Sequence, residues 1–132
     1  MNHANLKNSI LIKANKITGV KLWPNPTGLA WNGTVIKQWT VGNKKYAILE
    51  NPRPVKYGMG KGILDTVGFK AEQIGRVTIP RFISFDAKTP NDRLKPEQKN
   101  FISVVSKYGG IADEVRNVDD IPALIERPLL YL

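Results

Sequence analysis

The spacing of apolar residues along the chain shifts from helical to strand-like and back again. Leu6, Ile10, Ile12 and Ile17, with Leu11 and Ala14 between them, roughly follow a helical period, and Lys7, Lys13 and Lys16 supply a polar face. This predicts an amphipathic helix from about Asn5 to Lys16, stopped by Gly19. Val20-Lys21-Leu22-Trp23 then reads as a short strand, and Pro24-Asn25-Pro26-Thr27-Gly28 as a loop that can continue neither element. Asn32-Gly33, set between Leu29-Ala30-Trp31 and Thr34-Val35-Ile36, predicts a hairpin, because both central positions of a type I′ turn need positive φ. Gly42-Asn43 before Lys44-Lys45-Tyr46-Ala47-Ile48-Leu49 gives a second, weaker hairpin signal. Together they predict a small antiparallel meander, broken at Asn51-Pro52-Arg53-Pro54.

Glycines at 58, 60 and 62 follow, and a tight turn accounts for them. No Gly-Lys-Ser/Thr ending is present, so a phosphate-binding loop is rejected. Ile63 through Phe69 reads as a strand carrying Asp65 among apolar neighbours, Arg76-Val77-Thr78-Ile79 as a second before Pro80, and Arg81 through Lys88 as a third. In the third, strand alternation puts Phe82, Ser84, Asp86 and Lys88 on one face and Ile83, Phe85 and Ala87 on the other. Pro96 opens a helix that ends before Gly109-Gly110, with Phe101, Val104, Val105 and Tyr108 as its apolar stripe and Gln98 on the edge of that stripe, facing the sheet. Ile111-Ala112-Asp113-Glu114-Val115 returns as a strand. Asp119 or Asp120 can cap a short helix around residues 121–125, and Pro128 ends the pattern. At 132 residues the expectation is one domain spanning residues 1–132.

Composition narrows the function. There is no cysteine, which excludes disulfides, zinc–thiolate sites and cysteine nucleophiles and fits a reducing compartment. No apolar run approaches a bilayer's span, and the N-terminus has polar residues where a signal peptide has an apolar centre, so a cytoplasmic protein with no membrane partner is expected. The net charge of +9 is unevenly placed: before Glu50 there are seven lysines and no acidic residue. Such a field suits a polyanion such as DNA or RNA, although solubility alone can also account for it.

Candidate chemistry lies between Asp65 and Gln98. Two carboxylates, Asp65 and Asp86, can hold a hard divalent cation through oxygen ligands, and Lys88, about 6.5 Å along the strand from Asp86, can orient or activate the attacking water. A lone Asp-x-Lys is more often a solvated ion pair at a strand end. Here it ends an apolar strand, follows a second aspartate in another apolar segment, and precedes a helix with an inward-facing glutamine.

Gly58 to Gly62, Asp65, Asp86-Ala87-Lys88, Leu94-Lys95-Pro96-Glu97-Gln98 and Tyr108-Gly109-Gly110, with Leu22-Trp23, Asn25, Thr27-Gly28 and the closing Val115 to Asp120, resemble the VRR-Nuc domain, a virus-type replication and repair nuclease of the PD-(D/E)xK superfamily. The resemblance covers nearly the whole chain. It implies an α/β, restriction-endonuclease-like fold: a mixed central sheet flanked by helices, with an N-terminal helix and a small β-hairpin meander. It further implies Mg²⁺ or Mn²⁺ dependence and hydrolysis of DNA phosphodiesters. Stand-alone relatives of this size resemble homodimeric phage and bacterial enzymes that cut branched DNA such as Holliday junctions, which would place the chain in a bacterial cell or a phage-infected host. By position, Asp65 and Asp86 would bind metal, the Ala87 backbone carbonyl would add a ligand, Lys88 would act on the water and Gln98 would support the site.

The chain departs from the pattern in three places. A glutamate usual on the first helix has no counterpart, since Asn2, His3 and Asn5 stand near that position, which implies fewer ions or weaker metal binding. Among these only His3 could ligate a metal, and a lone histidine beside the N-terminus is more often unstructured. Leu64 replaces a proline or small polar residue, without loss of a ligand, and Pro24 replaces an arginine that would contact phosphate. Trp23, Trp31 and Trp39 could stack on unpaired bases, but their strand-like, apolar surroundings favour core packing. Lys37, Lys44, Lys45, Lys56 and Lys61 are the better DNA candidates. The alternative to an enzyme is a basic DNA-binding module that keeps the nuclease fold with weak or lost catalysis.

Overall fold

A computed structural model describes residues 1–129. In chain order the elements are α1 (His3–Asn15), β1 (Val20–Pro24), β2 (Gly28–Val41), β3 (Lys44–Tyr57), β4 (Thr66–Ile74), β5 (Val77–Ala87), α2 (Pro96–Lys107), β6 (Ile111–Val115) and, after a short 3₁₀ turn (Val118–Asp120), α3 (Ile121–Ile125). They divide into two compact units: one built from Met1–Pro26 and the chain from Lys61 onward, the other from Thr27–Gly60.

The first unit is α/β. Its sheet has the order β1-β4-β5-β6 and is mixed, since β1 and β5 each run antiparallel to β4 while β6 runs parallel to β5. The α1 helix begins two residues earlier than the apolar spacing predicts because Asn2 caps it, its side chain accepting the Asn5 N–H at 2.8 Å. Leu6, Ile10 and Ala14, one helical turn apart, form its buried face, whereas Ile12 points to solvent. They pack with Val20 and Leu22 of β1, Ile83, Phe85 and Ala87 of β5, Ile111 and Val115 of β6, and Ile121 and Ile125 of α3 into one core. Asn15 ties the helix end to β1, donating to the Leu22 carbonyl and accepting its N–H, both at 2.9 Å. At Gly68 a side chain is impossible: a Cβ would lie 1.9 Å from the Lys21 carbonyl oxygen of the neighbouring strand.

On the other face of β5, Phe82 meets Phe101 of α2 edge to face. The inward residues of α2 are Phe101, Ile102 and Val105; Val104 and Tyr108, expected in the stripe, are exposed. Pro80 does not separate two strands as predicted. It lies inside β5 opposite Ala71, and β6 pairs with β5 only from Ile83 onward, so the missing N–H falls on an edge. Residues 63–65 are not strand; β4 begins at Thr66 and Asp65 sits just before it. Neither Asp119 nor Asp120 caps α3 through its side chain; Asn117 caps the preceding turn instead, accepting the Asp119 N–H at 3.0 Å.

The second unit is a two-stranded antiparallel ribbon in which β2 and β3 each run 14 residues. Its turn is at Gly42-Asn43, between the paired Val41 and Lys44, and not at Asn32-Gly33. Gly42 has φ 59° while Asn43 lacks positive φ, the requirement of a type II′ turn. Asn32-Gly33 runs straight through β2, and the irregularity it faces lies across the ribbon, where Asn51 takes φ 52°. The predicted break at residues 51–54 is likewise part of β3, because a strand with one partner leaves its prolines' outer edge without a bond to lose. Along the ribbon only Leu49 is half-buried; every other residue is exposed. Among the described residues no helix is long and apolar enough to cross a membrane.

Candidate active site

The ladder between β4 and β5 runs from Ile74↔Val77 to Gly68↔Ile83. Beyond it, side chains take over the bonding. Buried Thr66 donates its hydroxyl to the Phe85 carbonyl at 2.8 Å and accepts the Phe85 N–H at 3.0 Å, and Ser84 Oγ donates to the Thr66 carbonyl at 2.6 Å. One residue further, the Asp65 N–H donates to Asp86 Oδ1 at 3.0 Å, and Asp65 Oδ2 accepts the Ala87 N–H at 2.9 Å. The two aspartates are thus fixed against each other where the strands stop pairing. Asn25 holds the approach to Asp65 from behind: its N–H donates to the Asp65 carbonyl at 2.7 Å and its buried side-chain amide to the Leu64 carbonyl at 3.1 Å.

Asp86 and Lys88 point the same way, as strand alternation requires, and Lys88 Nζ lies 2.8 Å from Asp86 Oδ2. Gln98 bridges them, donating to Asp86 Oδ2 at 3.3 Å and accepting from Lys88 Nζ at 3.2 Å. Its Oε1 also accepts the Lys95 N–H at 3.0 Å, the reciprocal half of a helix-capping box, so the start of α2 sets the rotamer of Gln98. The loop after Lys88 is closed by Asp92, which accepts from the Thr89 N–H and hydroxyl, and by Arg116, which donates to the Thr89 and Asp92 carbonyls.

Asp86 is 2% exposed and Lys88 8%. Burial raises the Asp86 carboxyl above its ordinary value, the Lys88 hydrogen bond opposes this, and the Asp65 charge adds to it. Lys88 pairs with Asp86 alone, and Asp65 meets only the His3 ring and the Ala87 N–H, so the two adjacent carboxylates are short of positive charge that a dication would supply. Among the described residues no three His, Cys, Asp or Glu side chains come together as a metal cage. A carboxylate pair nonetheless matches the way Mg²⁺ is held, by one or two carboxylates with water and phosphate oxygens completing the octahedron. The all-oxygen set of Asp65 and Asp86 fits such an ion. At Ala87 the bond the structure shows is the N–H to Asp65.

Asp65, Asp86, Lys88 and Gln98 are therefore brought together. His3 is a residue that sequence reasoning discounted: it opens α1 in an ordered position, with Nε2 3.1 Å from Asp65 Oδ2. The asparagine before it was the available signal, since a helix capped at Asn2 carries His3 in its first turn. Asn25 and Thr66 were also missed as supports of the aspartates. Of the lysines, Lys61 is ion-paired with Glu97 at 3.1 Å, while Lys37, Lys44, Lys45 and Lys56 belong to the ribbon. The tryptophans are not core residues. Trp23 is 52% exposed, Trp31 59% and Trp39 39%, because β1 is a sheet edge and the ribbon has no second layer. Trp39 stacks on Tyr46 and carries Lys37 Nζ 5.4 Å from its ring centre.

No family model matches the chain, and no curated protein matches it.

Proposed function

We propose that the chain is a metal-dependent DNA endonuclease with a restriction-endonuclease-like fold, similar to VRR-Nuc domains and selective for branched DNA such as Holliday junctions. The observation that carries this reading is the network of Asp65, Asp86, Lys88 and Gln98 at the point where β4 and β5 stop pairing. Asp65 and Asp86 would hold Mg²⁺ or Mn²⁺, with the Ala87 carbonyl as an added ligand. When bound, the ion supplies Lewis-acid polarisation of the phosphate and a more acidic water. Lys88 has three N–H donors; Asp86 and Gln98 take two, leaving the third to orient the attacking water or a phosphate oxygen. Gln98 keeps Lys88 and Asp86 aligned. A homodimer is proposed because a junction needs two symmetric cuts.

One observation favours a second reading, a DNA-binding module with weak catalysis: the first helix brings His3, not a carboxylate, to Asp65. Labelled four-way junction, flap and duplex DNA, incubated with and without Mg²⁺ or Mn²⁺, separate the two. The nuclease cuts only with metal and loses cutting in Asp86→Asn. Cleavage that survives the substitution or ignores the metal rules out the mechanism, and binding without cutting selects the second reading.

A further inference from the structure

The nuclease reading gives no chemistry to His3, the single histidine of the chain. Its position is set by the fold: the Asn2 cap starts α1 at His3, and Leu6, one turn further on the same side of the helix, is buried in the core with Ile10 and Ala14. The ring is thereby brought to Asp65, 62 positions away in the chain, with Nε2 3.1 Å from Oδ2. A half-exposed ion pair of this kind contributes little to stability, so the contact calls for another role.

The pair also has the spacing of two adjacent ligands on one metal ion. Corners of an octahedron with bonds of about 2.1 Å lie about 3 Å apart, and Nε2 and Oδ2 are at 3.1 Å. Asp65 Oδ2 is fixed independently of His3, since it accepts the Ala87 N–H at 2.9 Å, so an ion seated there meets a carboxylate the backbone already holds. We infer that His3 Nε2 is a ligand of the metal at this site, and that the resulting nitrogen and oxygen set takes Mn²⁺ in preference to Mg²⁺. The inference rests on the nuclease reading for Asp65 and Asp86 and adds which ion they hold.

The preference follows from ligand chemistry. Mg²⁺ keeps oxygen ligands and several of its waters and gains little from an imidazole, so with that ion His3 acts only by orienting Asp65. Mn²⁺ is equally at home with carboxylates and water but, as a first-row transition ion, binds imidazole nitrogen as well. A neutral ring adds no charge, and Asp65 and Asp86 are left to balance the dication. His3 does not complete a three-residue cage, as no such group is found among the described residues; it supplies one nitrogen beside Asp65, and water and phosphate oxygens fill the remaining positions.

Mn²⁺ and Mg²⁺ titrated calorimetrically into the full chain, without DNA and without a histidine tag, test it together with pulsed electron paramagnetic resonance of the Mn²⁺ complex. Because the chain has one histidine, a nitrogen hyperfine coupling that changes when histidine alone is labelled with ¹⁵N identifies His3 with no substitution at all. The expected result is that coupling in the bound ion, with Mn²⁺ held about 10-fold or more tighter than Mg²⁺. His3→Ala lowers Mg²⁺ affinity about 10-fold, as loss of an orienting contact does, and Mn²⁺ affinity about 100-fold. His3→Glu abolishes the coupling and turns the preference toward Mg²⁺. Mn²⁺ that binds and is lost in Asp86→Asn but shows no histidine coupling overturns the inference and leaves the nuclease reading standing, as does a His3→Ala loss equal for the two ions. Failure of either ion to bind, or binding indifferent to Asp86→Asn, overturns the metal-dependent reading and this inference with it.

Discussion

Adding Mg²⁺ or Mn²⁺ should raise the melting temperature, and by more at pH 8 than at pH 5. The reason lies in Asp86, whose folded pKa is raised first by burial and further by Asp65, against the pull of Lys88. For a carboxyl raised in the folded state, the stabilising contribution is fully present below its unfolded pKa and is lost as pH rises through the folded value. The metal-free protein therefore loses stability from this group as Asp86 ionises between those two pKa values. A bound dication reverses the preference, because protons and metal compete for the same oxygens. At a metal concentration of 100 times Kd the gain is about 2.7 kcal/mol, and at a few degrees per kcal/mol for a domain of this size the melting temperature moves by roughly 10 °C.

Scanning calorimetry with and without metal from pH 5 to pH 8 measures this directly. Asp86→Asn leaves Lys88 without its ion pair and should cost about 3 kcal/mol, so each variant is read against its own metal-free baseline. Both Asp65→Asn and Asp86→Asn should lose most of the metal-induced shift. An equal shift in Asp86→Asn, or a shift that is largest at pH 5, would refute the assignment of the metal to this pair.

Other expectations follow from the same geometry. Lys88→Met should slow single-turnover cleavage by about 10²–10⁴-fold while leaving junction affinity nearly unchanged, as gel-shift titration would show. It also removes the chief opposition to the raised Asp86 pKa, so urea titrations should find stability falling more steeply with pH than in the parent. Thr66→Val keeps the shape but strands the Phe85 N–H and carbonyl, for a loss of roughly 2–4 kcal/mol in urea unfolding. His3→Ala, at a half-exposed side chain, should change stability by no more than about 0.5 kcal/mol yet weaken metal binding about 10-fold in calorimetric titration, because Asp65 loses the side-chain partner that helps orient its carboxylate and keeps only the Ala87 N–H.

What could be read from the sequence was what local rules decide. Strand alternation put Asp86 and Lys88 on one side, and the helix-starting proline with its glutamine placed Gln98 toward them; both arrangements are present. The ribbon was misread because Asn32-Gly33 is permitted to turn without being required to. A pairing that continues to Gly28↔Tyr57 outweighs a short hairpin, and sequence spacing carries no measure of that competition. His3 was discounted for a similar reason: its position depends on Leu6, Ile10 and Ala14 docking α1 on the sheet, a contact between distant segments.

The same distinction explains the character of the site. Where the β4–β5 ladder ends, Thr66 and then the aspartates replace main-chain bonds with side-chain bonds, so Asp65 fixes the Ala87 backbone while Asp86 fixes that of Asp65. Strands that continued to pair would fill these positions with carbonyls and amides and leave no converging carboxylates. By ceasing to pair, they leave the oxygens both to close the sheet and to meet a cation. Substitution at either aspartate must then disturb fold and chemistry together, whereas His3, which meets Asp65 from a half-exposed position and supports no strand through its side chain, should separate the two.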